Sequence, residues 1–222
     1  KAVKSVLAQT FTNFELIVVN DGSTDDSLNI VQQFSDSRIK LYTQENAGVS
    51  TARNNGVNIA IYDYIVFLDA DDWWNTDFLK EMKQTIEMYP DAGIYGANFY
   101  IVKNKSNKNS TVGLPEDFTR GYINYCKTFS ATFCTPFNCS FVVVQKDVFR
   151  KAQGFRTQLK FGEDFELWIR IALKHKIGYC NIPLAYSNQD VPINMRALGD
   201  KKWKTNEHYI FNLDMLEDEE QH

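Results

Sequence analysis

Three aspartates lie within four residues, at Asp69, Asp71 and Asp72, immediately after the apolar run 64–68. Like charges this close repel one another, which raises their pKa values unless a cation compensates. A hard divalent cation suits such a cluster, because it can bind one or two carboxylates together with the phosphates of a ligand. Asp69 and Asp71 would point to the same side of an extended backbone, so this pair is the predicted metal site.

The alternative for this acidic segment is a solvated turn in which Asp72 caps the following helix. A bare D-x-D pattern is common and would favour that alternative. Its position after a wholly apolar strand favours a functional site instead, because ligands of open α/β sheets bind at the carboxyl ends of strands.

A second acid, Asp21, follows the buried run 14–19 and precedes Gly22. Its carboxylate could accept hydrogen bonds from a nucleobase or a ribose, while Gly22 lets the chain turn. Alternatively, Asp21 and Ser23 only form the turn and the cap of the next helix.

Arg53 lies just over one turn into a helix that Gly48 opens. From there a guanidinium could reach a base or a diphosphate. An ordinary surface arginine on a helix fits the spacing at least as well.

Glu163 and Asp164 open a helix whose later residues include Leu167 and Trp168. The helix dipole favours ionised carboxylates at this end, which would keep a general base deprotonated near neutral pH. Helix capping by the two acids is the alternative.

The composition of the 222 residues restricts the class of protein. A net charge of -4 argues against nucleic acid as the main partner, since phosphate backbones attract basic surfaces. No apolar run approaches the roughly 20 residues of a membrane span, and no signal peptide opens the chain. The sequence therefore predicts a soluble, cytoplasmic protein.

The elements that must position these residues alternate between strand and helix. Such alternation at short spacing predicts an α/β protein with a mostly parallel central sheet flanked by helices. Residues 103–113, rich in Asn, Ser and Lys, predict a mobile connection out of the first half. The predicted strands are 14–19, 38–42, 64–68, 92–102, 139–144 and 177–182, and the predicted helices are 1–9, 25–34, 48–61, 76–88, 116–129 and 163–174.

The same pattern divides the chain into three parts. Residues 1–102 form a nucleotide-binding half, and residues 103–185 form an acceptor-binding half of the same domain. Residues 186–222 form a tail with a charged helix from about Lys201.

Taken in this order, the segments resemble the family 2 glycosyltransferases of GT-A fold. Each motif is weak alone, whereas the ordered set over residues 1–185 is specific. The matching pieces are the opening helix 1–10, Val19-Asn20-Asp21-Gly22-Ser23-Thr24-Asp25, Asn46-Ala47-Gly48 with Ala52-Arg53-Asn54, the D-x-D at Asp69 to Asp71, and Gly162-Glu163-Asp164 with Leu167-Trp168.

The resemblance implies an inverting transfer from a nucleoside-diphosphate sugar, often a UDP-sugar, to an acceptor hydroxyl, with Mn²⁺ or Mg²⁺. It implies that residues 1–102 bind the nucleotide sugar, and that the acceptor is a glycan or lipid-linked glycan, as in polysaccharide biosynthesis. Carried over by position, Asp21 contacts the nucleobase, Arg53 the nucleotide, Asp69 the ribose or metal, Asp71 the metal and diphosphate, and Asp164, in a catalytic pair with Glu163, is the general base.

Two features depart from the family pattern. The first strand, which normally precedes the opening helix and supplies part of the base pocket, is absent, so we expect a longer protein. The Q-x-x-R-W motif of processive members does not follow Asp164, which predicts transfer of single residues. The cluster Lys201-Lys202-Trp203-Lys204 suggests either peripheral association with the inner face of a membrane or a solvated helix start.

Two other functions remain compatible with the sequence. A sugar-phosphate nucleotidyltransferase shares the α/β architecture and a metal-binding aspartate, but it needs no acceptor-side base such as the acid pair could supply. A nucleotide-sugar-binding module without activity is the second alternative, and the retention of Asp71 and Asp164 argues against it.

Overall fold

Apolar, β-branched runs such as 16–19 and 142–144 form strands, and amphipathic runs such as 78–88 form helices. The computed structural model describes residues 1–159 and 161–191. In chain order the elements are α1 (Ala2–Leu7), β1 (Leu16–Asp21), α2 (Ser27–Gln32), β2 (Ile39–Gln44), α3 (Val49–Ile59), β3 (Tyr64–Val66), β4 (Trp73–Trp74), α4 (Phe78–Met88), β5 (Ala92–Lys103), β6 (Ser106–Asn109), β7 (Arg120–Ile123), α5 (Tyr125–Thr132), a 3₁₀ turn (Cys139–Phe141), β8 (Val142–Gln145), α6 (Lys146–Lys151), α7 (Glu163–Lys174) and β9 (Lys176–Asn188).

The described strands form two sheets. β1 and β2 pair in parallel, from Leu16 opposite Ile39 to Asp21 opposite Gln44. The other seven strands form a mixed sheet with the order β3-β8-β5-β9-β4, in which β6 also pairs with β5 and β7 with β9. A strand before α1 stays a prediction.

The predicted α/β sheet flanked by helices is confirmed, but its mostly parallel pairing is wrong. Among the described pairs of the seven-stranded sheet, only β5 and β9 run parallel. A parallel pair needs a long crossover, whereas β5 reverses directly into β6 through Asn104 and Lys105, which have φ of 52° and 59°. β8 inserts between β3 and β5 and is antiparallel to both. The alternation that predicts parallel pairing holds only for the first half of the chain.

Residues 103–129 contain more strand than the sequence predicts. The hairpin β5–β6 replaces the predicted mobile connection, and β7 lies where a helix from residue 116 was expected. α5 begins only at Tyr125. β7 pairs with β9, which continues to Asn188 instead of ending at Ile182. Pairing with a strand distant in sequence therefore overrides the local preference of this region.

Alternate residues of β5, the central strand of the seven-stranded sheet, pack on opposite faces of the sheet. On one face Ile94 belongs to a buried cluster with Phe67 and with Trp168 of α7. On the other face Tyr95 belongs to a cluster with Phe78 of α4. These two layers fix the end of β3 and the start of α7 relative to the same sheet.

Gly96 of β5 lets an aromatic ring lie directly on the sheet. A Cβ atom at this position would come within 2.1 Å of Cδ1 of Phe137. The Phe137 ring in turn lies 5.3 Å from the ring of Tyr125 and 6.3 Å from that of Trp168, measured between centroids. This contact links the central strand to α5 and α7.

No helix within residues 1–159 and 161–191 has the length and apolar character needed to cross a membrane. The helix predicted from about Lys201 and the cluster 201–204 lie outside the described residues.

Candidate active site

The acidic segment, residues 69–72, begins where the core packing after β3 stops. Phe67 is buried, and its ring centroid lies 5.2 Å from that of Phe155 and 6.3 Å from that of Trp168. The N–H group of Asp69 then donates to the hydroxyl oxygen of Ser140 at 3.1 Å. The chain therefore leaves the core at a fixed point.

Residues 69–72 form a turn and not an extended strand end. The N–H group of Asp72 donates to the carbonyl oxygen of Asp69 at 3.2 Å. The predicted extended backbone is wrong, but Asp69 and Asp71 still lie close enough to interact. Desolvation raises the pKa of Asp71, and the negative charge of Asp69 raises it further.

Asp72 is buried and does not cap α4, whose N-cap is Asp77. Its carboxylate instead accepts the N–H group of Asn188, at the end of β9, at 2.8 Å. Burial raises the pKa of Asp72 to about 7, although hydrogen bonds from Ser140 and Asn188 oppose the shift. The prediction of a helix cap is wrong because the partner of Asp72 lies on a strand far away in sequence. Asp72 fastens β9 to the acidic segment.

Arg53 bridges the acidic segment and the acid pair Glu163–Asp164. Its Nη2 donates to Oδ1 of Asp69 at 2.7 Å, and its Nη1 donates to Oε1 of Glu163 at 2.8 Å. The side chains of Arg53 and Glu163 are 12% and 13% exposed, whereas that of Asp69 is 42% exposed. The planar fork of a guanidinium suits two carboxylates at once. The structure thus brings together three predicted site residues from three separate segments.

Asp21 holds the loop that begins α3 and so positions Arg53. Its carboxylate accepts hydrogen bonds from the N–H groups of Ala47 and Gly48 at 2.8 and 2.9 Å, and from the side-chain amide of Gln44 at 2.8 Å. Gly48 precedes α3 with φ of 87°, in the left-handed region that favours glycine. Contact of Asp21 with a nucleobase stays a prediction.

The acid pair forms the first turn of α7, as predicted, after Gly162 at φ of 74°. Burial and the charge of Glu163 raise the pKa of Asp164 to about 6, while Arg53 opposes the shift. The helix dipole expected from the sequence would lower the pKa of Asp164, but its pKa is raised because burial is the largest influence on it. A carboxyl group with this pKa is still mostly ionised at neutral pH and binds a proton more tightly than an exposed aspartate.

Residues 125–141 contribute side chains that the sequence did not single out. Cys139 is buried beside Arg53, and burial raises the pKa of its thiol, which keeps it neutral. The hydroxyl of Tyr125 is buried without a hydrogen-bond partner in the described chain, and burial together with the charge of Asp164 raises its pKa. Neither these residues nor Ser140 stand in a recognisable motif, so only their position in space reveals them.

The carboxylates at Asp69 and Asp71 are the ligand type that Mn²⁺ and Mg²⁺ prefer. Within residues 1–159 and 161–191, no three Asp, Glu, His or Cys side chains converge in a way that could enclose an ion. Mg²⁺ in particular is usually held by only one or two carboxylates, with waters and ligand phosphates completing its shell. The residues present therefore fit a divalent ion that arrives with a phosphorylated ligand.

Comparisons with known proteins point to one family. Residues 1–151 match the family model described as glycosyl transferase family 2. An uncharacterised glycosyltransferase of Rickettsia conorii is 32% identical over 180 residues, which are 80% of this chain and 28% of that protein. GlyA of Streptococcus pneumoniae, a glycosyltransferase, is 44% identical over 102 residues, which are 45% of this chain and 14% of that protein.

A third relative has a named substrate. It is WfgD of Escherichia coli, a UDP-Glc:alpha-D-GlcNAc-diphosphoundecaprenol beta-1,3-glucosyltransferase, which is 33% identical over 181 residues. The aligned part is 81% of this chain and 66% of WfgD. The chain thus spans from 14% to 66% of the length of these relatives.

Among solved structures, TarS of S. aureus in complex with UDP-GlcNAc superposes with a TM-score of 0.73 at 19% sequence identity. The match covers 91% of this chain and 57% of that TarS chain. At this identity the likeness concerns the fold, and it confirms the predicted GT-A type of α/β fold.

Proposed function

The chain belongs to glycosyl transferase family 2, and on that premise we propose that it is an inverting glycosyltransferase that moves a sugar from a UDP-sugar to an acceptor hydroxyl. The observation that carries the proposal is the Arg53 bridge between Asp69 and Glu163. The bridge joins Asp69, whose segment is suited to a metal-bound diphosphate, to Glu163. The next residue, Asp164, has a carboxylate suited to remove a proton.

The donor is proposed to bind residues 1–102. The name of WfgD gives UDP-Glc as its donor, and TarS has been crystallised with UDP and with UDP-GlcNAc. Asp21 is proposed to contact the nucleobase. Arg53 uses two of its N–H groups for carboxylates, and a guanidinium has about five such groups in total. The others can serve the nucleotide.

Asp71 and Asp69 are proposed to hold Mn²⁺ or Mg²⁺ together with the donor diphosphate. When bound, the ion supplies positive charge that stabilises the departing diphosphate. The raised pKa of Asp71 supports this assignment, because a cation next to Asp69 and Asp71 would relieve their mutual repulsion.

Asp164 is proposed to be the general base. It takes the proton of the acceptor hydroxyl while the acceptor oxygen forms a bond to the anomeric carbon. The bond between that carbon and the diphosphate breaks on the opposite side, which inverts the configuration and releases UDP. Glu163, held by Arg53, fixes the turn on which Asp164 lies.

The acceptor is proposed to be a glycan or lipid-linked glycan in polysaccharide biosynthesis. WfgD is named for a sugar linked through a diphosphate to a polyprenol, which supports an acceptor of this kind. We further propose single-residue transfer in the cytoplasm, with the protein at the inner face of the membrane where a lipid-linked acceptor would be met.

A panel of UDP-sugars and other nucleotide sugars tests the proposal. With Mn²⁺ present, we expect UDP to raise the Tm, since a ligand at about 100 times its Kd stabilises a protein by about 2.7 kcal/mol. We also expect slow release of UDP from at least one UDP-sugar. Asp71→Asn should weaken the stabilisation by UDP in Mn²⁺, and without metal it should behave like the wild type.

The two alternative functions give different products in the same assay. A nucleotidyltransferase would form a nucleotide sugar and release pyrophosphate, and a module without activity would bind UDP but release nothing from any donor. Detection of pyrophosphate, or absence of UDP release from every UDP-sugar in the panel, would contradict the proposal.

A further inference from the structure

Ser140 lies behind the acidic segment, and none of the roles above gives it a task. It is the middle residue of the 3₁₀ turn Cys139–Phe141, and its exposed fraction is 0%. A buried hydroxyl needs hydrogen-bond partners, because an unpaired polar group is unfavourable inside a protein. The partners of Ser140 therefore show which part of the chain it serves.

Ser140 bonds to the stretch from Asp69 to Trp74 at three points. Its hydroxyl oxygen accepts a hydrogen bond from the N–H group of Asp69 at 3.1 Å, and the same hydroxyl donates to the carboxylate of Asp72. Its carbonyl oxygen accepts a hydrogen bond from the indole N–H group of Trp74 at 2.7 Å. Because a hydroxyl can donate one hydrogen bond and accept others, one side chain holds both ends of the acidic segment.

The 3₁₀ turn that carries Ser140 is itself fixed in the fold. The side chain of Asn138 accepts a hydrogen bond from the N–H group of Ser140 at 2.9 Å. The next residue, Phe141, is fully buried, and its ring is stacked on that of Phe99 of β5 with centroids 4.6 Å apart. Ser140 thus has a defined position on the central strand, and its bonds extend that position to the acidic segment.

The acidic segment needs such an anchor because its carboxylates repel one another. The charge of Asp69 raises the pKa of Asp71, so the two groups lie close enough to interact. A short turn without attachment would relieve this repulsion by moving the carboxylates apart. The bonds of Ser140 go to the backbone of Asp69 and to the carboxylate of Asp72. They hold the turn without occupying the carboxylate of Asp69 or Asp71.

We propose that Ser140 is a positioning residue for the metal–diphosphate part of the site, an inference that rests on the proposed function. Ser140 keeps the backbone of residues 69–72 in the turn that brings Asp69 and Asp71 together, and it contacts neither the ion nor the donor. Removal of a group that orients metal-binding side chains typically weakens metal affinity by roughly 10- to 100-fold. A serine that only satisfied its own hydroxyl would affect stability and leave metal affinity unchanged.

The test compares two variants of the 3₁₀ turn with a control of the same chemistry. Ser140→Ala removes the hydroxyl, and Asn138→Ala removes the bond that holds the N–H group of Ser140 but keeps the hydroxyl. Ser110→Ala is the control, since Ser110 is 5% exposed and its hydroxyl contacts the sulfur of Cys134 at 3.6 Å. Thermal melts establish that each variant is folded. If Ser140→Ala does not fold, Asn138→Ala decides the test in its place.

Two measurements separate positioning from a merely structural role. Electron paramagnetic resonance of free Mn²⁺ gives the affinity of the UDP-saturated protein for the ion. We expect Ser140→Ala to bind Mn²⁺ roughly tenfold more weakly than the wild type, Asn138→Ala to lose less, and Ser110→Ala to lose nothing. Thermal melts with UDP in excess Mn²⁺ should show the same rise in Tm for Ser140→Ala as for the wild type, because a high ion concentration compensates for weaker ion binding.

The outcomes distinguish this inference from the proposed function. Mn²⁺ binding that is unchanged in the turn variants, or equally weakened in Ser140→Ala and Ser110→Ala, overturns the inference alone. A wild type that binds no Mn²⁺ in the presence of UDP overturns the inference together with the metal assignment. If Ser140→Ala binds Mn²⁺ more weakly as expected but the wild type releases UDP from no UDP-sugar, only the proposed function is contradicted.

Discussion

Apart from Asp72, which is bonded to Asn188, the acidic segment and the acid pair each contain one carboxylate that is paired with Arg53 and one that has a raised pKa. In the segment these are Asp69 and Asp71, and in the pair they are Glu163 and Asp164. Their settings differ. The segment is a turn with Asp69 partly open to solvent, whereas the pair is the first turn of a helix packed into the core.

This difference suggests how each group is neutralised. The repulsion in the turn falls when a cation arrives from solvent, and a turn can adjust to its ligands. The carboxyl group of Asp164 is desolvated on a rigid helix, so a proton relieves it most easily. One arginine thus divides four carboxylates into a pair suited to an ion and a pair suited to proton transfer.

Replacing Asp164 by Asn should have the largest effect on activity, because it removes the group suited to proton transfer. We expect kcat to fall by about 10² to 10⁴, the usual contribution of general acid–base catalysis, while UDP binding in Mn²⁺ is retained. Steady-state kinetics with the donor found in the panel measures this. Glu163→Gln is the matched control and should lose less, because Glu163 supports the turn. A larger loss in Glu163→Gln than in Asp164→Asn would reverse the assignment of the base.

Replacing Arg53 by Lys should separate the two regions. A lysine is a compact charge that cannot bridge both carboxylates. We therefore expect the free energy of unfolding, measured in urea, to fall by about 1–3 kcal/mol, which is less than for a fully buried ion pair because Asp69 is partly exposed. Arg38→Lys is the control, since Arg38 pairs with Asp36 and both side chains are 25% exposed. Equal losses in the two variants would show that the bridge has no special role.

The pH dependence of kcat/KM tests the role of Asp164 without a mutation. The pKa of Asp164 is raised to about 6, and the base acts only when it is deprotonated. We therefore expect kcat/KM to be constant at neutral pH and to fall as the pH drops through about 6, approaching tenfold for each further unit. A profile that stays flat down to about pH 4.5 would contradict the role of Asp164.

The smallest expected effect is on stability. A carboxyl group whose pKa is higher in the folded protein than in the unfolded chain destabilises the fold above the folded pKa and has no effect below the unfolded pKa. Asp164→Asn should accordingly raise the free energy of unfolding by about 1 kcal/mol near pH 8, once solvent exposure is allowed for, and by much less near pH 4. Urea titrations at the two pH values check the sign, and a variant that is less stable at both would contradict it.

Local signals in the sequence predicted the helices that carry the site. The apolar spacing and acidic start gave α7 its observed bounds, and Gly48 marks the start of α3 at its positive φ. Because Arg53 and Glu163 lie on these two helices, the order of motifs sufficed to place them in one site.

Contacts between distant residues explain what the sequence did not predict. From the sequence, Asp72 resembles a helix cap, because no residue close to it in sequence indicates its hydrogen bond with Asn188. Ser140 bonds the N–H group of Asp69 from a short 3₁₀ turn that has no motif. The antiparallel course of β8 likewise depends on its insertion between two strands that precede it. Each of these features follows from the assembled sheet and not from a local pattern.

The contact of Phe137 with the sheet at Gly96 has an evolutionary consequence. Any larger residue at position 96 would occupy the space of the Phe137 ring, which also supports Tyr125 and Trp168 beneath the acid pair. A substitution at one of the two positions is therefore tolerated only after a compensating change at the other. Among relatives that keep this packing, we expect positions 96 and 137 to covary, with the small residue and the large one exchanging places or staying fixed together.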